Sequence, residues 1–331
     1  METKTLMSES VRRRVGLTCL LAGATLLGAL VGCKPKPTRV PALCSFDGLS
    51  EEERTSQALA PITWLTLVSP TVDRQSMART GSLTNACGQV LAPALSDTFT
   101  CPGYEPASER VASDLVEETD IIIDSAGEDR MLLWAATDEY ASGEVEGSAA
   151  LALWTEKAVE VHAAGSLRGY RTGARMKLHD IGGVPVLILN SDRCDAEKKC
   201  EAITQVVPII NRQFTELPLW EADRGCIGRA QFVLDRREER DLGNGTTRRF
   251  VLTRSVELTD EGIFINDLLT MDDKRTANPD ADAKPFRKVS ARRPLLLAED
   301  RLLLEDEDLW GRSLRDHGQV DPSSSAEDPP G

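Results

Sequence analysis

Three histidines, eight cysteines and a surplus of carboxylates are the side chains from which this chain of 331 residues could build chemistry. Acyl transfer needs an activated nucleophile, yet neither a Gly-x-Ser-x-Gly elbow nor a Ser-x-x-Lys pair occurs in the sequence. Arg171-Thr172-Gly173 matches a fragment of penicillin-binding signatures and, standing alone, reads as a turn. His162, His179 and His317 fall in no His-Glu-x-x-His helix or other zinc spacing. His179-Asp180 is the only adjacent acid-base pair, but neighbours on a strand point to opposite faces, which argues against a direct dyad. With Met176 and Leu178 inward, His179 is expected on the exposed face. Asn278-Pro279-Asp280-Ala281-Asp282 opens like an EF-hand loop. It then places Ala283 where the turn needs glycine and Val289 where a glutamate should close the shell. Asp192, Asp195 and Glu197 form a weaker acidic cluster, and Glu305-Asp306-Glu307-Asp308 reads as a solvated run or a partner contact. Gly243-Asn244-Gly245 reads as a hairpin turn rather than a phosphate loop. No catalytic, cofactor-binding or metal-ligating residue is therefore assigned. Were the chain an enzyme, Asp138, Glu139, Glu144, His162 and His179 would be the first residues to seek in a cleft.

The N-terminal segment is more specific. Lys4 and Arg12-Arg13-Arg14 precede an uncharged run, Val15 to Gly32, that closes on Leu30-Val31-Gly32-Cys33. That order of basic, apolar and small-residue segments marks an export signal, and with a cysteine at the cleavage point it resembles a bacterial lipoprotein signal peptide. The resemblance covers residues 1–33. It implies cleavage after Gly32, leaving 1–32 as the signal peptide. It also implies a diacylglyceryl thioether on Cys33 and an amide-linked acyl chain of palmitate type. Each buried methylene contributes about 0.8 kcal/mol and two chains already anchor stably, so the membrane would be held through acyl chains on Cys33. Lys34 stands where, in enterobacterial-type sorting, an aspartate would favour the inner membrane. The expected location is thus the cell envelope, the outer membrane ahead of the inner. An uncleaved membrane helix competes, because 18 uncharged residues approach the lower limit of about 17 to 25 for a span. Gly16, Gly23, Gly28 and Gly32 dilute its hydrophobicity. The triple arginine also suggests twin-arginine export, but the rest of that pattern is missing.

Without the leader the chain is near −16, two charges more negative than the whole chain at −14, which excludes nucleic acid as a partner on electrostatic grounds. Cys44, Cys87, Cys101, Cys194, Cys200 and Cys226 remain once Cys19 leaves and Cys33 is acylated. An even number in an exported chain reads as disulfides, and no Cys-x-x-Cys pair supports metal ligation. Short loops favour Cys87 with Cys101 and Cys194 with Cys200, which leaves Cys44 with Cys226; spacing alone does not fix the pairing.

These side chains must be positioned by short elements. Residues 33–41, the lipidated cysteine and three prolines, form a stiff tether. Ser50 with Glu53 makes a capping box for a helix to about Ala60. Further helices are expected over Ala107–Glu118 and Asp195–Val207. Strands are expected over Ile62–Val68, Asp120–Asp124, Met131–Thr137, Val145–Thr155, Ala158–Ala164, Ala174–Asp180, Val184–Asn190, Gly262–Leu269 and Phe286–Leu297. Gly182-Gly183 is expected to turn one hairpin, and Arg229–Leu242 with Thr246–Leu258 to form another. Lys274–Pro285 reads as a polar loop and 321–331 as a disordered tail. The expected fold is mainly β with a few helices (α+β): antiparallel meander sheets with one face buried, divided into a β-rich part with helices over 44–219 and an antiparallel half over 220–320. The expected function is a non-enzymatic binding or assembly module with other envelope proteins as partners. A carrier of an apolar ligand in a partly open sheet, and an unrecognised enzyme, are the alternatives.

Overall fold

A computed structural model describes residues 40–319 except 57, 92–97, 103, 105–109, 113–115, 128, 223, 243–244 and 276–282. The leader 1–32, the tether up to residue 39, the turn residues Gly243-Asn244, the acids of Asn278–Asp282 and the tail 321–331 lie outside the described residues. The strands are β1 (Cys44–Phe46), β2 (Arg110–Ala112), β3 (Ile121–Ser125), β4 (Arg130–Tyr140), β5 (Val145–Trp154), β6 (Val159–Gly169), β7 (Arg175–Ile181), β8 (Val184–Cys194), β9 (Cys200–Ile210) and β10 (Gln213–Phe214). They continue as β11 (Pro218–Glu221), β12 (Gly225–Arg229), β13 (Gln231–Val233), β14 (Asp235–Asp241), β15 (Thr246–Thr259), β16 (Gly262–Arg275), β17 (Lys284–Leu297) and β18 (Leu302–Leu304). The helices are α1 (Glu51–Ser56), α2 (Pro61–Val68) and α3 (Leu309–His317). The fold is mainly β, and among the described residues every strand pair is antiparallel except β11 with β18.

Three sheets stack. The first runs β1-β6-β5-β4, with β3 and β2 sharing the far edge of β4. The second runs β10-β9-β8-β7, and β13 also pairs with β9. The third runs β12-β11-β18-β17-β16-β15-β14. The second sheet is buried on both faces. Leu187, Leu189 and Val207 pack against Leu132, Trp134 and Leu167 of the first sheet, while Val186, Ile188 and Val206 pack against Ile263, Ile265 and Leu295 of the third. Further along the same face of the third sheet, α3 covers Phe250, Leu252, Leu269 and Met271 with Leu309 and Trp310. The described residues from Pro41 onward gather into one compact unit. A boundary between Leu219 and Trp220 falls inside β11, and β13, from beyond it, completes the second sheet by pairing with β9.

Several local expectations are met. Ser50 and Glu53 form the capping box, Ser50 N donating to Glu53 Oε2 at 2.8 Å and Glu53 N to Ser50 Oγ at 3.2 Å. Gly182 and Gly183 join β7 and β8 with φ of 59° and 88°, the left-handed pair that a two-residue hairpin turn demands. Others are corrected. Ile62–Val68 is helix, not strand: Pro61 at the first helical position is pre-organised for it. Trp64, Leu65, Leu67 and Val68 share a core with Ala135, Ala150, Ala152 and Ala164 of the first sheet. Asp195–Val207 is not helical; residues from Cys200 form β9, whose β-branched Ile203, Thr204, Val206 and Val207 pair with β8 from Cys194↔Cys200 onward. Within Ala107–Glu118, residues 110–112 are strand rather than helix. The arm Arg229–Leu242 is not one strand: Arg229 ends β12, Phe232 belongs to β13 in the second sheet, and β14 starts only at Asp235.

The six cysteines form three pairs, and two differ from expectation. Cys194 bonds Cys200, but Cys44 bonds Cys87 and Cys101 bonds Cys226. Loop length misleads here because β1 sits on the edge of β6, bringing Cys44 to the segment holding Ala86 and Cys87. Cys101 instead meets β12, more than a hundred residues away.

Candidate functional cleft

The cleft begins with an irregularity in β4. Ala136 pairs with Gly147 and Asp138 with Glu146, so Thr137 is an extra residue, a β-bulge. The bulge requires glycine opposite it, since a Cβ on Gly147 would lie 1.6 Å from the Ala135 carbonyl oxygen. On the other edge of β4, pairing with β3 ends at Ala135 and pairing with β2 starts at Asp138. The edge of the first sheet is thereby left open at Ala136 and Thr137. A 3-10 turn, Glu118–Asp120, and the turn bearing Arg171 wall this gap.

The result is a cleft of about 200 Å³ lined by Glu117, Asp120, Ala136, Thr137, Asp138, Glu139, Val145 and Arg171. Arg79 Nη1 donates to Asp138 Oδ1 at 2.6 Å, and Arg171 Nη1 donates to Asp120 Oδ1. Asp120 Oδ2 also accepts from Glu117 N at 2.7 Å, fixing the turn. Thr137 is 6% exposed and its hydroxyl has no hydrogen-bond partner. Glu139, at the mouth, is exposed and pairs with no cation among the described residues. Among the described side chains, four carboxylates thus line the cleft and two guanidinium groups answer them, a surplus of negative charge.

Immediately beyond Val145 the same residue types form a closed cluster. Arg168 donates to Glu144 Oε2 from Nε at 3.1 Å and Nη2 at 2.8 Å. Arg229 donates to Glu144 Oε1, to Glu216 Oε1 at 2.7 Å and to the Arg168 carbonyl. Gln205 and Gln231 extend the cluster, and the Arg168 guanidinium lies 3.8 Å over the Tyr140 ring. Burial alone would raise the Glu144 pKa, but Arg229 and Arg168 outweigh it and hold the carboxyl below its ordinary value. Burial would lower the Arg229 pKa, yet Glu216 and Glu144 drive it above the ordinary arginine range. Because Arg168 lies on β6, Gln205 on β9 and Arg229 on β12, the cluster rivets all three sheets.

A second closed cluster lies between the third sheet and the start of α3. Arg254 donates to Asp267 Oδ1 at 2.6 Å and to Asp308 Oδ1 at 2.9 Å, and Arg293 donates to Asp267 Oδ2 at 3.0 Å. Asp308 is therefore not part of a solvated run: it is 5% exposed and caps α3 by accepting from Gly311 N. Burial raises its pKa, but Arg254, the Gly311 amide and Arg293 lower it more.

The residues singled out in the sequence separate accordingly. Asp138 and Glu139 line the cleft, while Glu144 sits in the closed cluster. His162 Nε2 is 3.2 Å from Glu160 and His179 Nε2 is 2.9 Å from the Thr259 carbonyl; neither histidine lines the cleft. His179 is half-buried rather than exposed, and the Asp180 carboxylate accepts from Gly183 N in the hairpin turn. Asp195 caps its own turn, accepting from Glu197 N and Lys199 N at 2.9 Å each. Sequence reasoning missed Thr137, Asp120 and Glu117, and gave Arg171 only a turn. A bulge carries no residue signature, and the cleft joins three stretches distant in sequence. Across the exposed face of the third sheet, a shallow depression of about 440 Å³ is lined by Thr253, Ser255, Leu268, Ser290 and Arg292, among others. Among the described residues no helix is long and apolar enough to cross a membrane. The chain matches no family model, no curated protein and no solved structure.

Proposed function

We propose that this chain is a membrane-anchored lipoprotein of the cell envelope that acts as a non-enzymatic binding or assembly module. The observation that carries the reading is the signal-like segment ending in Leu30-Val31-Gly32-Cys33, followed by six cysteines that all lie in disulfide pairs. Such pairing is the habit of chains that fold in oxidising compartments. Acyl chains on Cys33 would hold the protein to the membrane, the outer membrane ahead of the inner, and the proline-rich stretch to Pro41 would space the β unit from the surface. Binding rather than turnover is supported by the commitment of three of the five acid-base candidates. Glu144 serves Arg168 and Arg229, Asp138 serves Arg79, and His179 serves a backbone carbonyl. Other envelope proteins are the proposed partners.

The test is Cys33→Ala in cells fed an alkyne-bearing palmitate analogue. Loss of both label and membrane fractionation supports the anchor. Membrane retention of the variant at high salt without label refutes it.

A further inference from the structure

We infer that the cleft at the β4 bulge binds an alkylammonium group. Three observations converge. The lining carries Glu117, Asp120, Asp138 and Glu139 against Arg171, with Arg79 reaching Asp138, so its charge favours a cation. Inside it, the Thr137 hydroxyl is more than nine-tenths buried and makes no hydrogen bond. Leaving a buried hydroxyl without a partner is destabilising, and this one is held there by a bulge that only glycine at 147 permits. The volume, about 200 Å³, suits a slender alkyl stem, and Ala136 and Val145 supply apolar walls for it. An ammonium group brings three donors and no acceptor. Thr137 and Glu139 both line the cleft and offer such donors acceptor oxygens, whereas the guanidinium groups already present are paired with Asp138 and Asp120. The chemistry is shared by a lysine side chain offered by a partner protein and by a free aliphatic amine. This inference deepens the binding-module reading but does not depend on the anchor, so failure of either leaves the other testable.

The experiment is isothermal titration of the full-length protein in detergent with 1,5-diaminopentane, with the peptide acetyl-Gly-Lys-Gly-amide, and with 1-pentanol as the uncharged control. The expected result is saturable binding of at least one ammonium probe, none of 1-pentanol, and an affinity about tenfold weaker in Glu139→Gln and in Thr137→Val. Glu139→Gln changes an exposed side chain and keeps the test valid if the buried variant folds poorly. Peptide binding stronger than diamine binding assigns the site to a partner's lysine; the reverse assigns it to a free amine. Absence of saturable binding by either ammonium probe, equal binding of 1-pentanol, or unchanged affinity in Glu139→Gln overturns the inference.

Discussion

Two regions built from the same side chains lie on either side of Val145, and they have opposite characters. In the cluster around Glu144, two carboxylates meet two guanidinium groups, glutamines fill the gaps, and Arg168 and Arg229 are almost wholly buried. In the cleft around Thr137, carboxylates outnumber guanidinium groups among the described residues, a buried hydroxyl is left without a partner, and Glu139 faces solvent. Residue type alone would class both as charged patches. Stoichiometry separates them: with carboxylates and guanidinium groups in balance, charge becomes scaffold; with described carboxylates in surplus, it becomes a surface open to a ligand.

The largest expected effect breaks the closed side. Glu144→Gln leaves Arg168 and Arg229 short of a counter-charge, and removing one partner from a buried pair costs about 3–5 kcal/mol; chemical denaturation should show this as an earlier midpoint. Next, the double variant Cys101→Ser with Cys226→Ser should lose about 2–5 kcal/mol, because that bond fastens the Tyr104 segment to β12 beside Arg229. Peptide mapping of the unreduced protein should recover Cys44 with Cys87 and Cys101 with Cys226.

Acid should sharpen the same contrast. Glu144 and Asp308 both have pKa values held below their unfolded values by arginines that outweigh burial. In acid the unfolded chain therefore takes up these protons before the folded one. Their stabilisation is complete above the unfolded carboxyl range of about 4 and is lost as pH falls through the folded values. Melting temperature should accordingly drop in that acid window, less steeply in Glu144→Gln. The smallest expected change is a gain: Thr137→Val removes a buried hydroxyl without a partner and should stabilise by about 1 kcal/mol, a trade of stability against binding.

Much of the architecture was legible in the sequence. Alternation in Phe250, Leu252 and their neighbours marked a sheet with one wet face, and Gly182-Gly183 and Ser50-Glu53 fixed local geometry through backbone chemistry that does not depend on distant contacts. The second sheet was harder. Covered on both faces, β8 and β9 lose the alternation that reports one-sided burial, and the start of β9 was read as helix. The disulfides were misread because loop length measures the entropy of closure, whereas strand pairing between β1 and β6 decides which sulfurs meet. Of the cleft, only Asp138 and Glu139 were singled out. Arg171 and Asp120 are fifty-one residues apart in sequence and join only through the tertiary fold.

The most direct test of the division between scaffold and surface is calorimetric melting of the wild type, Glu144→Gln and Glu139→Gln, each with and without 1,5-diaminopentane. The account requires a double dissociation. Glu144→Gln should melt far lower yet still be stabilised by the diamine, and Glu139→Gln should melt within about 0.5 kcal/mol of the wild type while losing most of that stabilisation. Equal loss of stability in both variants, or a diamine response that survives Glu139→Gln intact, would contradict it.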